Sequence, residues 1–408
     1  MNVDGRIRYK NYYKIHIMGE NMKIESLDIE GIGGIKKLNL NFSDGFNVIC
    51  GANGIGKTTI LNIIADIFSS GYTKLKRNSQ YDEGQYIAKY YNGKESYKVQ
   101  RKIKDFTPKE TTSLVSNEYA KYLLRFNVNR NYDYIELSAL VPDPLRGRFE
   151  NSLEAEKGVQ AEDIKNWFIN RFAFSDKRDS LSPEEIDNYN IAKEIFGVLD
   201  ETVKFKTVLS KSFDIILSTQ GGEIYFEYLS AGYKSCIYII MGIIKEIEYR
   251  FGKTPIKISD FDGCILIDEI EEHLHPAWQA RLVKTLKRIF PKCQFIVSTH
   301  SPSILQSVEK SEIIPLHFNE KHETSIKELK LGKYGLQGWS LDEILTDVMD
   351  IPSTTSDIYQ EVINAFDKAM EEEDISEIKR NFKILDEMLH PKSTLRKLLQ
   401  IQMAGMEE

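Results

Sequence analysis

The segment Phe46-Asn-Val-Ile-Cys50, followed directly by Gly51-Ala-Asn-Gly-Ile-Gly-Lys-Thr-Thr59, decides the fold of this chain. The first five residues form an apolar run, which is typical of a strand buried on both faces. The next eight, Gly51 to Thr58, match the pattern GxxxxGK[ST], and a helical pattern runs from Thr58 to Phe68. Strand, glycine loop and helix in this order predict one βα unit of an α/β fold.

The glycine loop has the chemistry of a phosphate-binding P-loop. Its glycines let the backbone wrap around phosphates, so that successive N–H groups and the helix N-terminus face negative charge. Lys57 adds a point charge for the β- and γ-phosphates, and Thr58 adds a hydroxyl ligand for Mg²⁺. The strand and helix on either side favour nucleotide binding over a glycine loop that binds nothing. The residues predicted to contact ATP are Asn53, Gly54, Gly56, Lys57, Thr58 and Thr59.

A second apolar run, Cys264-Ile-Leu-Ile267, ends in two carboxylates, Asp268 and Glu269. A buried strand that ends in Asp268 places a carboxylate at the sheet edge, where it can hold the metal ion or its water. Glu269 can polarise the water that attacks ATP. Acidic residues after strands are also common in solvated turns, but the P-loop in the same chain favours the catalytic interpretation.

The stretch Leu229-Ser-Ala-Gly-Tyr-Lys-Ser235 lies between these two elements and precedes an apolar helix. Ser230 at the helix start is a cap, and the free N–H groups there, with Gly232, make an anion site. The simpler alternative is an ordinary serine cap, which the flanking motifs disfavour.

His300 ends a third apolar strand, and a lone histidine is usually structural. A hydrolase triad of Ser230, His300 and Asp268 is excluded because the GxSxG nucleophile elbow is missing.

Bulk composition limits the remaining classes of function. The formal net charge of the 408 residues is −7, so nucleic acid could be bound only by a local basic patch. No apolar run reaches the ~18–20 residues that a membrane span needs. The four cysteines are isolated, which favours buried thiols in the cytoplasm over a disulfide framework. His273 and His275 lack the i, i+4 spacing of helical zinc ligands, so a metal site is less favoured there than a helix start at Pro276.

The chain divides into three predicted regions. Residues 1–21 form an N-terminal extension, although their interleaved basic and tyrosine residues also fit a nucleic-acid-binding arm. Residues 22–330 form the ATPase domain, with a helical insertion at about 101–211 that lacks a heptad repeat. Residues 331–408 form a C-terminal cap of short amphipathic helices.

The P-loop, LSAGYKS, ILIDE, HLHP and STHSP occur in this order over residues 22–317 and resemble the ABC/SMC-like ATPases, within them the RecF/OLD-like branch. The resemblance implies an ABC-type head and an ATP-sandwich dimer or higher homo-oligomer. Lys57 and Thr58 of one subunit would bind ATP, and Ser230 and Gly232 of another would cap it. It also implies that Glu269 is catalytic and that His300 touches the γ-phosphate. Neither Gln80 nor Gln85 has the context of a Q-loop.

The segment from Tyr334 to Met349 resembles the C-terminus of AAA-family ATPases of bacterial anti-phage operons, such as the Septu and retron-linked systems. OLD-type nucleases carry a TOPRIM domain after the histidine that corresponds to His300, but no Glu…DxD set follows His300 here. The resemblance therefore implies that the ATPase regulates a separately encoded nuclease, of HNH or TOPRIM type. A RecF-like DNA-repair ATPase is the main alternative. A transporter subunit is disfavoured because Ala231 stands where transporters carry glycine.

Overall fold

The computed structural model describes residues 21–69, 74–109, 117–130 and 134–405. These residues form two compact units. The first runs to Ile344 and includes Val348–Asp350, and the second comprises Leu345–Asp347 and the residues from Ile351 onward. Within the described ranges, no helix is long and apolar enough to cross a membrane. Apart from Asn21, the predicted N-terminal extension lies outside the described residues.

Strands and helices alternate along the first unit, whereas the second unit is helical. The strands are β1 (Lys23–Ile32), β2 (Ile35–Asn41), β3 (Phe46–Cys50), β4 (Gly84–Tyr91), β5 (Ser96–Ile103), β6 (Leu123–Phe126), β7 (Lys204–Val208), β8 (Ile215–Thr219), β9 (Gly222–Tyr225), β10 (Cys264–Ile267), β11 (Gln294–Ser298), β12 (Ile313–Phe318) and β13 (Thr324–Ile326). The helices are α1 (Lys57–Phe68), α2 (Arg148–Lys157), α3 (Glu162–Phe174), α4 (Pro183–Ile195), α5 (Ala231–Phe251), α6 (Pro276–Ile289), α7 (Pro302–Gln306), α8 (Leu341–Asp347), α9 (Asp357–Glu371), α10 (Ile375–Met388) and α11 (Thr394–Gly405).

The central sheet has the strand order β13-β12-β3-β11-β10-β6. All neighbouring pairs are parallel except β12 with β13. Every residue of β3, β10 and β11 is buried, as expected for parallel strands covered by helices on both faces. The carboxyl ends of these three strands therefore meet at one edge of the sheet, which is where open α/β sheets bind ligands. The predicted α/β fold is confirmed.

Two smaller antiparallel sheets complete the first unit. One has the order β2-β1-β4-β5 and the other the order β7-β8-β9. The first is joined to the central sheet by the buried side chain of Gln294, whose amide oxygen accepts a 2.7 Å hydrogen bond from Ile24 N. The same amide donates to the Ile24 carbonyl at 2.8 Å. Both hydrogen bonds of a β1 residue are thus satisfied by the first residue of β11.

The predicted helical insertion at about 101–211 differs from the structure in one important respect. Helices α2, α3 and α4 lie in this range, but β6 is an edge strand of the central sheet and β7 belongs to the small sheet. The sequence Leu123-Leu-Arg-Phe126 is only four residues long and has no periodicity that separates a strand from a helix. Its partner β10 lies far along the chain, so the pairing is a tertiary event.

The second unit is built around an apolar cluster between α9, α10 and α11. Its fully buried members are Phe366, Ala369, Ile378, Leu385, Leu399 and Met403. The helix starts agree with the capping residues that precede them: Ser356 Oγ accepts from Tyr359 N, and Asp374 Oδ1 accepts from Ser376 N at 3.0 Å. Amphipathic periodicity predicts all three helices because each buries one apolar stripe.

Candidate nucleotide-binding site

The glycine loop between β3 and α1 has a backbone that only glycine adopts easily. Gly51 has φ 137°, and a Cβ there would lie 2.3 Å from the Leu316 carbonyl oxygen of β12. Gly54 has φ 76° with open space around it, so only its backbone conformation requires glycine. The loop is therefore shaped both by the neighbouring strand and by its own left-handed residues.

Lys57 is the first residue of α1, and its side chain curls back over the loop. Its Nζ donates to the carbonyl oxygens of Gly51 and Ala52, each at 3.0 Å. Burial lowers the pKa of Lys57, and the carboxylates of Glu269, Glu271 and Asp268 oppose that shift. The ammonium group thus lies inside the loop, where phosphate oxygens would be its preferred partners.

Side chains from α1, β10 and β11 meet at the sheet edge. Thr58 Oγ1 donates to Asp268 Oδ1 at 3.2 Å, and Ser298 Oγ donates to the same oxygen at 2.5 Å. Ser298 Oγ also accepts from Glu269 N at 2.7 Å. One hydrogen-bonded network therefore joins the P-loop helix to the carboxylates after β10. Ser298 was not predicted, because its role depends on β11 lying beside β10.

Glu269 occupies a strained position at the end of β10. Its φ is 48°, a left-handed conformation that is uncommon for a residue with a Cβ. Burial raises the pKa of Glu269, and the nearby carboxylates of Asp268, Glu272 and Glu271 raise it further. A carboxylate whose pKa is raised toward neutrality is a better proton acceptor than an exposed one.

Glu271 binds the segment that follows β11. Its carboxylate accepts from Thr299 Oγ1 at 2.7 Å and from the backbone N–H of His300. Burial raises the pKa of Glu271, although these hydrogen bonds oppose the rise. The pKa of His300 is lowered by burial and by the charge of Lys57, which favours a neutral imidazole. Sequence reasoning gave Glu271 no role of its own, because nothing near it in the chain indicates the contact with β11.

Ser230 and Gly232 lie at the start of α5. Ser230 is exposed, and its Oγ accepts from Tyr233 N at 3.3 Å as a helix cap. A Cβ on Gly232 would lie 2.3 Å from the His273 carbonyl oxygen, so α5 packs tightly on the HLHP segment. Within the described ranges no hydrogen bond or ion pair joins Ser230 to the glycine loop. Among the described residues, the observed role of Ser230 is therefore that of a helix cap.

His275 has a structural role at the start of α6. Its Nδ1 accepts from Ala277 N at 3.3 Å, which caps the helix, and Pro276 is the first helical residue. His273 has φ 65° and its ring lies 3.7 Å from a Glu272 carboxylate oxygen. Among the described residues, no group of three or more His, Cys, Asp or Glu side chains could hold a metal ion.

Family models and known proteins match most of this chain. The model described as an AAA ATPase domain matches residues 22–138. The model described as an AAA domain, putative AbiEii toxin, type IV TA system, matches residues 107–306. The Septu protein PtuA of Bacillus thuringiensis is 43% identical over 386 residues, which cover 93% of this chain and 98% of that protein. The chain belongs to the PtuA family of Septu proteins. It carries the AAA ATPase domain that the family model describes.

More distant relatives share parts of the chain. A second Septu PtuA protein, from Bacillus mycoides, is 27% identical over 80% of this chain and 45% of its own length. A protein described as Retron Vc95 probable ATPase, from Vibrio cholerae, is 28% identical over 40% of this chain and 35% of its own length. Among solved structures, the SMC head domain from Thermotoga maritima has a TM-score of 0.42 and 14% identity, over 76% of this chain and all of that domain.

Proposed function

We propose that this PtuA-family chain binds Mg²⁺·ATP at the glycine loop and hydrolyses it to control a nuclease partner in anti-phage defence. The observation that carries the catalytic part is the 3.2 Å hydrogen bond between Thr58 Oγ1 and Asp268 Oδ1. It joins the phosphate loop to the acidic end of β10, so the proposed phosphate site and the proposed catalytic carboxylates are adjacent.

The same pair of oxygens fits a magnesium ion. Two neighbouring ligands of an octahedral Mg²⁺ with bonds of ~2.0–2.1 Å lie about 3 Å apart, close to the separation of these atoms. Both are hard oxygen donors, as Mg²⁺ prefers, and a hydroxyl and a carboxylate leave positions for phosphate oxygens and water. Thr58 and Asp268 would hold the ion, which when bound would neutralise charge on the phosphates.

Protein groups supply the remaining steps of hydrolysis in this proposal. Lys57 and the loop N–H groups bind the β- and γ-phosphates and orient the terminal phosphorus. Glu269 accepts a proton from the attacking water, whose oxygen bonds to the γ-phosphorus while the bond to the ADP oxygen breaks. The products are ADP and inorganic phosphate. Burial and the charge of Lys57 lower the pKa of His300, which favours its neutral form. The neutral imidazole donates a hydrogen bond to a γ-phosphate oxygen.

We propose that ATP is sandwiched between two copies of the chain. Exposed Ser230 caps a helix whose N-terminus is well suited to an anion, yet it has no bond to its own glycine loop within the described residues. A second copy, related by two-fold symmetry, would bring Ser230 and Gly232 to the γ-phosphate. Hydrolysis would then remove the group that holds the two copies together.

The proposed partner is a separately encoded nuclease of HNH or TOPRIM type. Support comes from the identity to a Septu PtuA protein over nearly the whole chain. Affinity purification of the chain together with the product of the adjacent gene is expected to yield a stable complex that degrades DNA. Recovery of the chain alone, with and without ATP, would contradict the proposed partnership.

Two substitutions test the ATPase itself. Lys57→Ala is expected to lose ATP binding because the phosphates lose their buried cation. Glu269→Gln is expected to keep ATP affinity and lower kcat by at least about 100-fold, because the amide cannot accept the proton. Calorimetric ATP titration and phosphate release measure the two effects, with Glu320→Gln, an exposed site in the β12–β13 turn, as control. Wild-type turnover by Glu269→Gln would exclude Glu269 as the base.

A further inference from the structure

Arg130 holds the turn that carries Glu269. It lies four residues beyond the end of β6, and its guanidinium donates to three successive backbone carbonyls of the turn after β10. Nη2 donates to the Asp268 oxygen and, at 2.9 Å, to the Glu269 oxygen. Nη1 donates to the Ile270 oxygen at 3.4 Å, and Nε donates to the Asn127 oxygen at 3.0 Å, which holds the side chain against its own loop.

The guanidinium is buried, and the hydrogen bonds it makes within the described residues go to backbone carbonyls. Arg130 is 3% exposed, and within the described part of the chain no ion pair is formed with it. Burial lowers the pKa of Arg130, while the more distant charges of Glu271 and Asp268 oppose the shift. Burial removes water from the guanidinium, and the carbonyl oxygens of Asp268, Glu269 and Ile270 replace part of that hydration, so the position of Arg130 and the conformation of the turn depend on each other.

One of the carbonyls that Arg130 binds belongs to Glu269, whose backbone is strained. Glu269 has φ 48°, and the cost of such a conformation, about 1–3 kcal/mol, must be offset by contacts around it. The planar fork of an arginine can bind several carbonyls at fixed angles, whereas a lysine ammonium offers no such fork. Ser298 Oγ accepts a hydrogen bond from Glu269 N, so both the carbonyl and the amide of Glu269 are hydrogen-bonded to side chains.

We infer that Arg130 is a positioning residue for ATP hydrolysis, which fixes the Glu269 carboxylate where the attacking water lies. This inference rests on the proposed ATPase function. Arg130 does not contact the glycine loop in the described residues, so its loss should leave nucleotide binding intact. A displacement of about 1 Å in a catalytic group is enough to cost ~100-fold in rate.

Arg130→Lys and Arg130→Gln test the inference. Both are expected to lower kcat by about 10- to 100-fold while the Kd for ATP stays within about threefold of wild type. Amide hydrogen exchange at residues 269–272 should become faster in both variants, because the turn loses the hydrogen bonds that the guanidinium donates to its carbonyls. The control is Arg171→Lys, since Arg171 is equally buried at 4% exposure but binds Asp143 and Glu248. It should lower the melting temperature without a selective loss of kcat.

The outcomes separate this inference from the proposed function. If Glu269→Gln is inactive but Arg130→Lys and Arg130→Gln turn over at the wild-type rate, Arg130 does not position the base. The inference is also wrong if the two Arg130 variants lose ATP affinity and melting temperature in parallel with kcat, as a general packing defect would. If Glu269→Gln itself hydrolyses ATP normally, the proposed function is at fault instead.

Discussion

At the scale of single residues, the proposed catalytic groups lie in environments that change their ordinary properties. Lys57 is buried, Glu269 has a left-handed backbone, and burial with the charge of Lys57 lowers the pKa of His300. The burial of Lys57 and the backbone conformation of Glu269 each cost free energy on their own. These groups lie together at one sheet edge. There, Ser298 accepts a hydrogen bond from Glu269 N, and Glu271 accepts one from His300 N.

The raised pKa of Glu269 makes a prediction about pH. A base must be ionised, so kcat should fall as pH drops through the pKa of Glu269, which lies above its ordinary value of 4.5. Because the Glu272 carboxylate is one cause of the rise, Glu272→Gln should move this acidic limb to lower pH. The measurement is kcat at saturating Mg²⁺·ATP across the acidic range. An acidic limb that does not move relative to wild type and to Glu320→Gln would refute the assignment.

At the scale of elements, α5 connects the LSAGYKS segment with a buried cluster of charges. The helix begins after Ser230 and runs through 21 residues to Phe251. Near its end, Lys245 Nζ lies 2.8 Å from Glu246 Oε1, and Arg250 Nη2 lies 2.8 Å from Glu154 Oε2 on α2. Burial and the neighbouring Glu246 carboxylate raise the pKa of Glu154 to about 7. The charges of Lys245 and Arg250 outweigh burial at Glu246 and hold its pKa low.

Glu154 should make stability depend on pH. Its folded pKa of about 7 is above the ordinary 4.5, so the folded state binds the proton more tightly. The contribution of Glu154 to the free energy of unfolding is therefore greatest below pH 4.5. It falls by at most about 3 kcal/mol as the pH rises through the folded pKa. The glutamine of Glu154→Gln cannot titrate, so the melting temperature of this variant should rise relative to that of the wild type between pH 5 and 8. Glu118→Gln, at an exposed site, is the control. The prediction is contradicted if the melting temperatures of Glu154→Gln and wild type differ by the same amount at every pH.

Element boundaries show how far the sequence pattern reaches. Helix α6 begins where the pattern predicts, because Pro276 marks its first turn. Strands β3, β10 and β11 are equally clear, since short apolar runs between turns have few alternatives. Strand β6 is not predicted, because its four residues become a strand only by pairing with β10.

At the scale of the whole molecule, the proposal of a shared site can be tested by mixing inactive variants. Lys57→Ala disables the phosphate side, and Ser230→Arg disables the capping side by placing a bulky cation there. Neither variant should hydrolyse ATP alone. Their equimolar mixture should recover up to about a quarter of wild-type turnover, because half of random dimers are mixed and each has one intact site of two.

The control for this experiment is a mixture of Lys57→Ala with Glu269→Gln. Both substitutions disable the phosphate-bearing half, so no mixed dimer contains an intact site and activity should stay absent. Failure of the first mixture to recover activity, with both proteins folded and binding each other in the presence of ATP, would mean that the site is complete within one chain.

The sequence by itself determined the parts that depend on local pattern. Spacing and residue type predict the glycine loop with Lys57 and Thr58, the acidic strand end at Asp268 and the three C-terminal helices. These features are local because phosphate binding needs consecutive N–H groups, and amphipathic helices need only their own periodicity.

Tertiary structure alone decided which distant groups meet. The contact of Ser298 with Asp268 and that of Glu271 with His300 depend on β11 packing beside β10. The clamp of Arg130 depends on β6 pairing with the other side of β10. Pairing between parallel strands is set by burial of both sheet faces, a property of the assembled core that no short stretch of sequence encodes.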